Sequence, residues 1–238
     1  MPKTTQQFQE LYAGLMEEVK LRFEMIDAIL SNRVQLPNFL AEECCYLQLR
    51  MLCETIALCC VIAHDTMGPI DVNRLGSRYD ADGIIKILGE IWAESATGNE
   101  ANPHPEFFPH PIKLTVTKPN AEYPKGKAHF DYPDNGSLTK DELLRLYGRT
   151  GNYLHRGRLK KLEAHSPIKG WDRATITSWT NKIVALLSEH HIAAADNERH
   201  WLVILKNADD QNRAQVALAE SPAAREQHAQ RVKPKDRK

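Results

Sequence analysis

Residues 39–63, FLAEECCYLQLRMLCETIALCCVIA, constrain the fold more than any other part of the chain. The stretch spans about seven helical turns, and towards its end it is apolar on every side. Such a helix is stable only where neighbours cover it from several directions, which makes it the centre of a bundle. Within it Arg50 and Glu54 stand four residues apart on one face, where two ions bond to each other. Buried singly they would be costly, so an ion pair is their structural reading.

All five cysteines, Cys44, Cys45, Cys53, Cys59 and Cys60, lie in this stretch. Adjacent cysteines on a helix point to different faces and no Cys-x-x-Cys spacing occurs. They read as small buried apolar residues rather than metal ligands. An odd number of crowded thiols points to a reducing, cytoplasmic setting. The uncharged run Thr55 to Ala63 is too short for a bilayer and the polar N-terminal segment is no signal peptide, so no membrane contact is expected.

Around the central helix the periodicity predicts a mainly α fold, a bundle of about five helices with two β additions. Residues 5–30 repeat apolar side chains every three or four positions (Phe8, Leu11, Leu15, Val19, Phe23, Ile26, Ile29 or Leu30), one face of a first helix. Asn38 is a candidate cap for the second. A third helix is expected over 80–94, with Ile84, Ile85, Ile87, Leu88 and Ile91 apolar. Seven of the 13 prolines then fall between Pro103 and Pro133, which excludes helix there. Inside that segment Ile112, Leu114 and Val116 alternate with polar residues, as do Ala128, Phe130 and Tyr132, the pattern of an inserted β-hairpin near 112–132.

A helix over 171–189 follows, with Ile176, Trp179, Ile183, Leu186 and Leu187 on one face. Three short strands, 192–195, 200–205 and 214–219, then form an antiparallel meander. The expected organisation is a helical domain over 1–190 carrying the hairpin, a meander over 191–220 packed on it, and a disordered basic tail over 221–238.

The chemistry concentrates in residues 139–161, TKDELLRLYGRTGNYLHRGRLKK. Thr139 with Glu142 three residues on reads as a capping box, so a helix begins at Lys140. No acidic residue occurs from Arg145 to Lys161, although the whole chain balances 31 Lys+Arg against 31 Asp+Glu. With a pI near 7.1, general coating of nucleic acid is excluded and any contact must be a patch. A local basic cluster with an imidazole inside it suits a phosphate.

The spacing Arg149-x5-His155, with Thr150 and Asn152 between and a basic flank after it, resembles the Arg-x(4–6)-His motif of the HEPN superfamily. These are helical domains, many of them metal-independent ribonucleases of toxin–antitoxin, phage-defence and RNA-processing systems. The resemblance implies Arg149, His155 and Asn152 as the catalytic set, cleavage leaving a 2′,3′-cyclic phosphate, a homodimer, and an antitoxin or other partner protein. Thr150, Tyr153, Arg156, Arg158 and Lys160 are candidate RNA-binding residues. Arg50 could add to the phosphate site and Glu54 could orient His155, with Tyr46 or Tyr153 joining either. Those families are typically all-helical, so the β additions are departures.

Helix geometry places Arg149 and His155 about 120° and about 9 Å apart, so one helix does not make them a contact pair. Two helices facing across a dimer axis would. The competing readings are that Arg149 pairs with a carboxylate while His155 caps the helix C-terminus, that the basic helix binds RNA or nucleotide without cutting it, or that the meander offers an edge to a partner chain. No Gly-rich phosphate loop, Gly-x-Ser-x-Gly or His-Glu-x-x-His occurs. His104, His110, His190 and His191 lack further donors at ligand spacing, so no metal and no cofactor is expected.

Overall fold

The computed structural model describes residues 5–65, 75, 80–94, 107–117, 127–134, 136–154, 172–193 and 199–220. The chain is mainly helical with small antiparallel sheets. Helices α1 (Thr5–Leu30), α2 (Asn38–Asp65), α3 (Ala81–Glu94), α4 (Lys140–Leu154) and α5 (Arg173–Leu187) carry the framework. The strands are β1 (His110–Pro111), β2 (Lys113–Thr117), β3 (Lys127–Asp131), β4 (Glu189–Ala193), β5 (Arg199–Asn207) and β6 (Arg213–Glu220). The proposed tail beyond residue 220 lies outside the described residues.

Helix α2 is the centre, packed by α1, α3, α4 and α5. Leu49, Leu52, Ile56, Ala57 and four of the five cysteines are buried along it. Burial pushes the Cys45 and Cys59 thiols up to about 12, so at neutral pH they remain apolar packing groups. By length and composition residues 38–64 would suffice to cross a membrane, more than the short run Thr55 to Ala63 suggested. The same all-round apolarity is what a helix with neighbours on several sides requires.

The buried face of α1 differs from the predicted one. Tyr12 and Met16 are buried, while Leu11 points outward. Apolar residues surround this helix, so spacing alone leaves its rotation open. A polar contact accompanies the choice: the Tyr12 hydroxyl meets His190 Nε2 at 2.9 Å. His190 Nδ1 lies 3.2 Å from the Leu187 carbonyl. Only a donor suits that carbonyl, so Nδ1 carries the proton and Nε2 accepts from Tyr12.

Strands β2 and β3 pair Leu114 with Phe130 and Val116 with Ala128. The other sheet has the order β1-β4-β5-β6, all antiparallel. It differs from the expected meander at the start of β4 and along its outer side. That strand begins at Glu189, directly after α5, and β1 from the proline-rich segment adds to its outer side, His110 opposite His191. Glu189-His190-His191 is too polar to read as a buried strand, yet both histidines are buried.

The last strand lies against α1. Ala214 N–H donates to Glu17 Oε1 at 2.7 Å, and Gln9 Nε2 donates to the Val216 carbonyl at 3.3 Å. Lys20 Nζ reaches the Asn212 carbonyl at 2.8 Å. Side chains of α1 therefore occupy two backbone groups of the β6 edge, at Ala214 and Val216, and one just before it.

Candidate nucleic-acid interface

Helix α4 begins as the capping box requires. Glu142 N–H donates to Thr139 Oγ1 and Thr139 N–H to Glu142 Oε2, both at 3.2 Å. Burial alone would raise the Glu142 carboxyl, but hydrogen bonds from Lys182 and the Thr139 N–H, with the Lys182 and Arg145 charges, hold it below its ordinary range. Leu143, Leu146, Tyr147 and Thr150 turn inward, and Arg145, Arg149 and Asn152 face solvent.

On the opposing helix, Glu42, Tyr46, Arg50 and Glu54 recur every four residues, one stripe of α2 facing α4. At one end the Arg149 charge lies near the Tyr46 hydroxyl and opposes the rise that burial gives that phenol, and the Tyr46 and Tyr153 rings stack at 4.2 Å between centroids. The Tyr153 hydroxyl donates to Glu42, whose carboxylate also meets Asp172 N–H at 3.4 Å. Burial, then the Glu42 hydrogen bond and charge, raise the Tyr153 phenol well above its ordinary range. Arg149 thus stands beside an aromatic pair and is itself exposed.

One turn deeper, Arg50 Nε lies 3.2 Å from Glu54 Oε1. Its guanidinium sits over the Tyr147 ring, 4.2 Å from the centroid, and donates to the Tyr147 hydroxyl. That hydroxyl donates to Glu54 at 3.2 Å. The predicted ion pair is present, and Tyr147 closes it into a triad. Arg50 and Glu54 bond to each other and to Tyr147, an arrangement that supports α4.

Gly151 has a local reason. A Cβ there would lie 3.1 Å from Arg50 Nη1, so the guanidinium crosses α4 where no side chain intervenes. Gly151→Ala is expected to be close to neutral, because the crowding offsets a helix-propensity gain of about 1 kcal/mol. Gly151→Leu is expected to cost about 1–3 kcal/mol by displacing Arg50. Urea unfolding of both variants checks this; equal stability of the two would show that Arg50 does not pack across residue 151.

The structure corrects one site expectation. Thr150 is fully buried and its hydroxyl donates to the Tyr147 carbonyl at 2.8 Å, so it does not face a substrate. Arg149, Asn152 and Tyr153 come together at the C-terminal end of α4. His155, Arg156, Arg158 and Lys160 lie outside the described residues. Tyr147, Glu42 and Asp172 were not singled out from sequence; the four-residue recurrence of Glu42, Tyr46, Arg50 and Glu54 was the available signal. A groove of about 660 Å³ along α5, lined by Gly136, Arg173, Ala174, Thr177, Ser178, Asn181 and Lys182, includes none of the proposed site residues. Among the described residues no group of three or more His, Cys, Asp or Glu is placed to hold a metal ion. No family model, curated protein or solved structure matches this chain.

Proposed function

We propose that the chain is a metal-independent endoribonuclease of HEPN type, acting as a homodimer. In this reading the hairpin and the meander are additions to a HEPN-like helical domain. The observation that carries the proposal is the presentation of Arg149 and Asn152 on the open face of α4, beside Tyr46 and six and three residues of chain before His155. His155 takes the proton from an RNA 2′-hydroxyl. The 2′-oxygen then bonds to phosphorus, the bond to the 5′-oxygen breaks, that oxygen takes a proton from water, and His155 returns its own proton to the hydroxide so formed. Arg149 holds the charge developing on the phosphoryl oxygens through paired hydrogen bonds. Two copies of α4 would bring two such sets to one phosphate.

Purified protein is expected to cut single-stranded RNA with a chelator present. His155→Ala should abolish cutting and leave binding; Arg149→Ala should weaken both. Full-rate cleavage by the His155 variant, or its loss in chelator alone, would overturn the assignment. A second reading, RNA binding without cleavage, rests on the same exposed Arg149 and Asn152, which can hold a phosphate without cutting it. RNA retained but never cut would establish it.

A further inference from the structure

The imidazole cluster on the β1–β4–β5 side of the sheet has no part in the proposed reaction. His191 is 4% exposed and sits at its centre. The His110 ring stacks on it with centroids 5.0 Å apart, and the His200 ring meets it edge-on at 5.4 Å. From the β2–β3 hairpin and the residue after it, Phe130 and Tyr132 close over it at 5.2 and 5.6 Å. Tyr132 is itself 63% exposed, so its ring separates His191 from water. The two share a hydrogen bond, Tyr132 Oη to His191 Nε2 at 3.2 Å. His191 Nδ1 is buried with no hydrogen-bond partner among the described residues.

The hairpin is joined to this sheet at neighbouring residues of β4. Ile112 N–H donates to the Glu189 carbonyl and Leu114 N–H to Glu189 Oε2, both at 2.9 Å; the aromatic cover on His191 adds to these. A two-stranded hairpin has little stability of its own, so it is the element most easily detached.

We propose that His110, His191 and His200 form a proton-operated latch: a proton taken from solvent by His191 drives the β2–β3 hairpin off the sheet. The titratable groups facing His191 are His110 from β1, His190 from its own strand and His200 from β5, together with the Tyr132 phenol. None is a carboxylate. The Glu189 carboxylate serves Leu114 N–H, and Asp131 on β3 lies beside the exposed His129. An imidazolium at residue 191 would therefore be buried against other imidazoles with one N–H unbonded, and uncovering it restores its hydration. Burial, then the charges on His110, His200 and His190, hold His191 down at about 3 in the closed state. An uncovered histidine returns towards 6.5, so falling pH favours opening.

Nuclear Overhauser contacts read the latch directly. From pH 7 to pH 5, those between the Phe130 or Tyr132 rings and His191 are expected to vanish, while those between Phe8 and Trp201 persist. In His191→Phe, which keeps a ring under the cover, the hairpin contacts should survive at pH 5. Tyr132→Phe, altering only an exposed residue's hydroxyl, should move release to higher pH. Hairpin contacts that disappear only together with the Phe8–Trp201 contacts, or equally early in His191→Phe, would overturn the latch. If His191→Phe does not fold, an unshifted midpoint in Tyr132→Phe would overturn it.

Discussion

Between pH 6.5 and pH 4 the folded state is expected to lose about 3 kcal/mol through each of two further histidines, His64 and His190. Both are buried, and burial holds each at about 4, with backbone carbonyls of Cys60 and Leu187 opposing the shift. A histidine whose folded value lies below the unfolded one stabilises the protein fully above about pH 6.5. That contribution declines as pH falls towards 4, because the unfolded chain binds the proton first. Together the two losses approach the 5–15 kcal/mol that typically separates folded from unfolded states, so unfolding in acid is expected. Urea midpoints measured from pH 7 to pH 4 would show the fall. His64→Leu, which keeps an apolar contact to Phe107, should flatten it by about half while changing little at pH 7. An unchanged slope in that variant would mean that His64 does not titrate on unfolding.

Trp201→Ala is expected to cost about 3–5 kcal/mol, because the indole joins the sheet to α1. It is 1% exposed and stacks on Phe8 with ring centroids 3.8 Å apart. Alanine would leave a void between the first helix and β5 that neighbouring strands, held by their ladders, do not fill. The indole Nε1 is buried without a hydrogen-bond partner among the described residues, so Trp201→Phe gives up volume and no hydrogen bond. Its cost should be clearly smaller than that of alanine. Thermal or urea unfolding compares the two; similar costs would show that the stack contributes little.

The long periodic elements were legible because their pattern and caps agree. Thr139 and Glu142 placed the start of α4 before any packing was known, and the all-round apolarity of α2 placed it at the centre. What the sequence could not show depends on tertiary partners. The rotation of α1 was open because both Leu11 and Tyr12 suit a helical stripe, and Tyr12 finds His190. The start of β4 was hidden because two adjacent histidines read as solvent-facing; their partners come from α1, the hairpin and β1. At the proposed site, Arg149, Asn152 and the Arg50–Glu54 pair were visible as residue types at helical spacing. Thr150 was misplaced because one residue of rotation separates the open face of α4 from its core. Tyr147 was counted as apolar although its hydroxyl closes the Arg50–Glu54 triad.

The contacts between α1 and β6 bear on the order in which the fold assembles. Gln9, Glu17 and Lys20 find their partners 207, 197 and 192 residues along the chain. A nascent chain therefore carries these groups in water until the other described elements have been synthesised. Closing so long a loop is entropically slow, and until it closes β6 presents an open hydrogen-bonding edge. Docking of the two is thus a late step, and the interval before it is when two unfinished chains are most able to pair with each other.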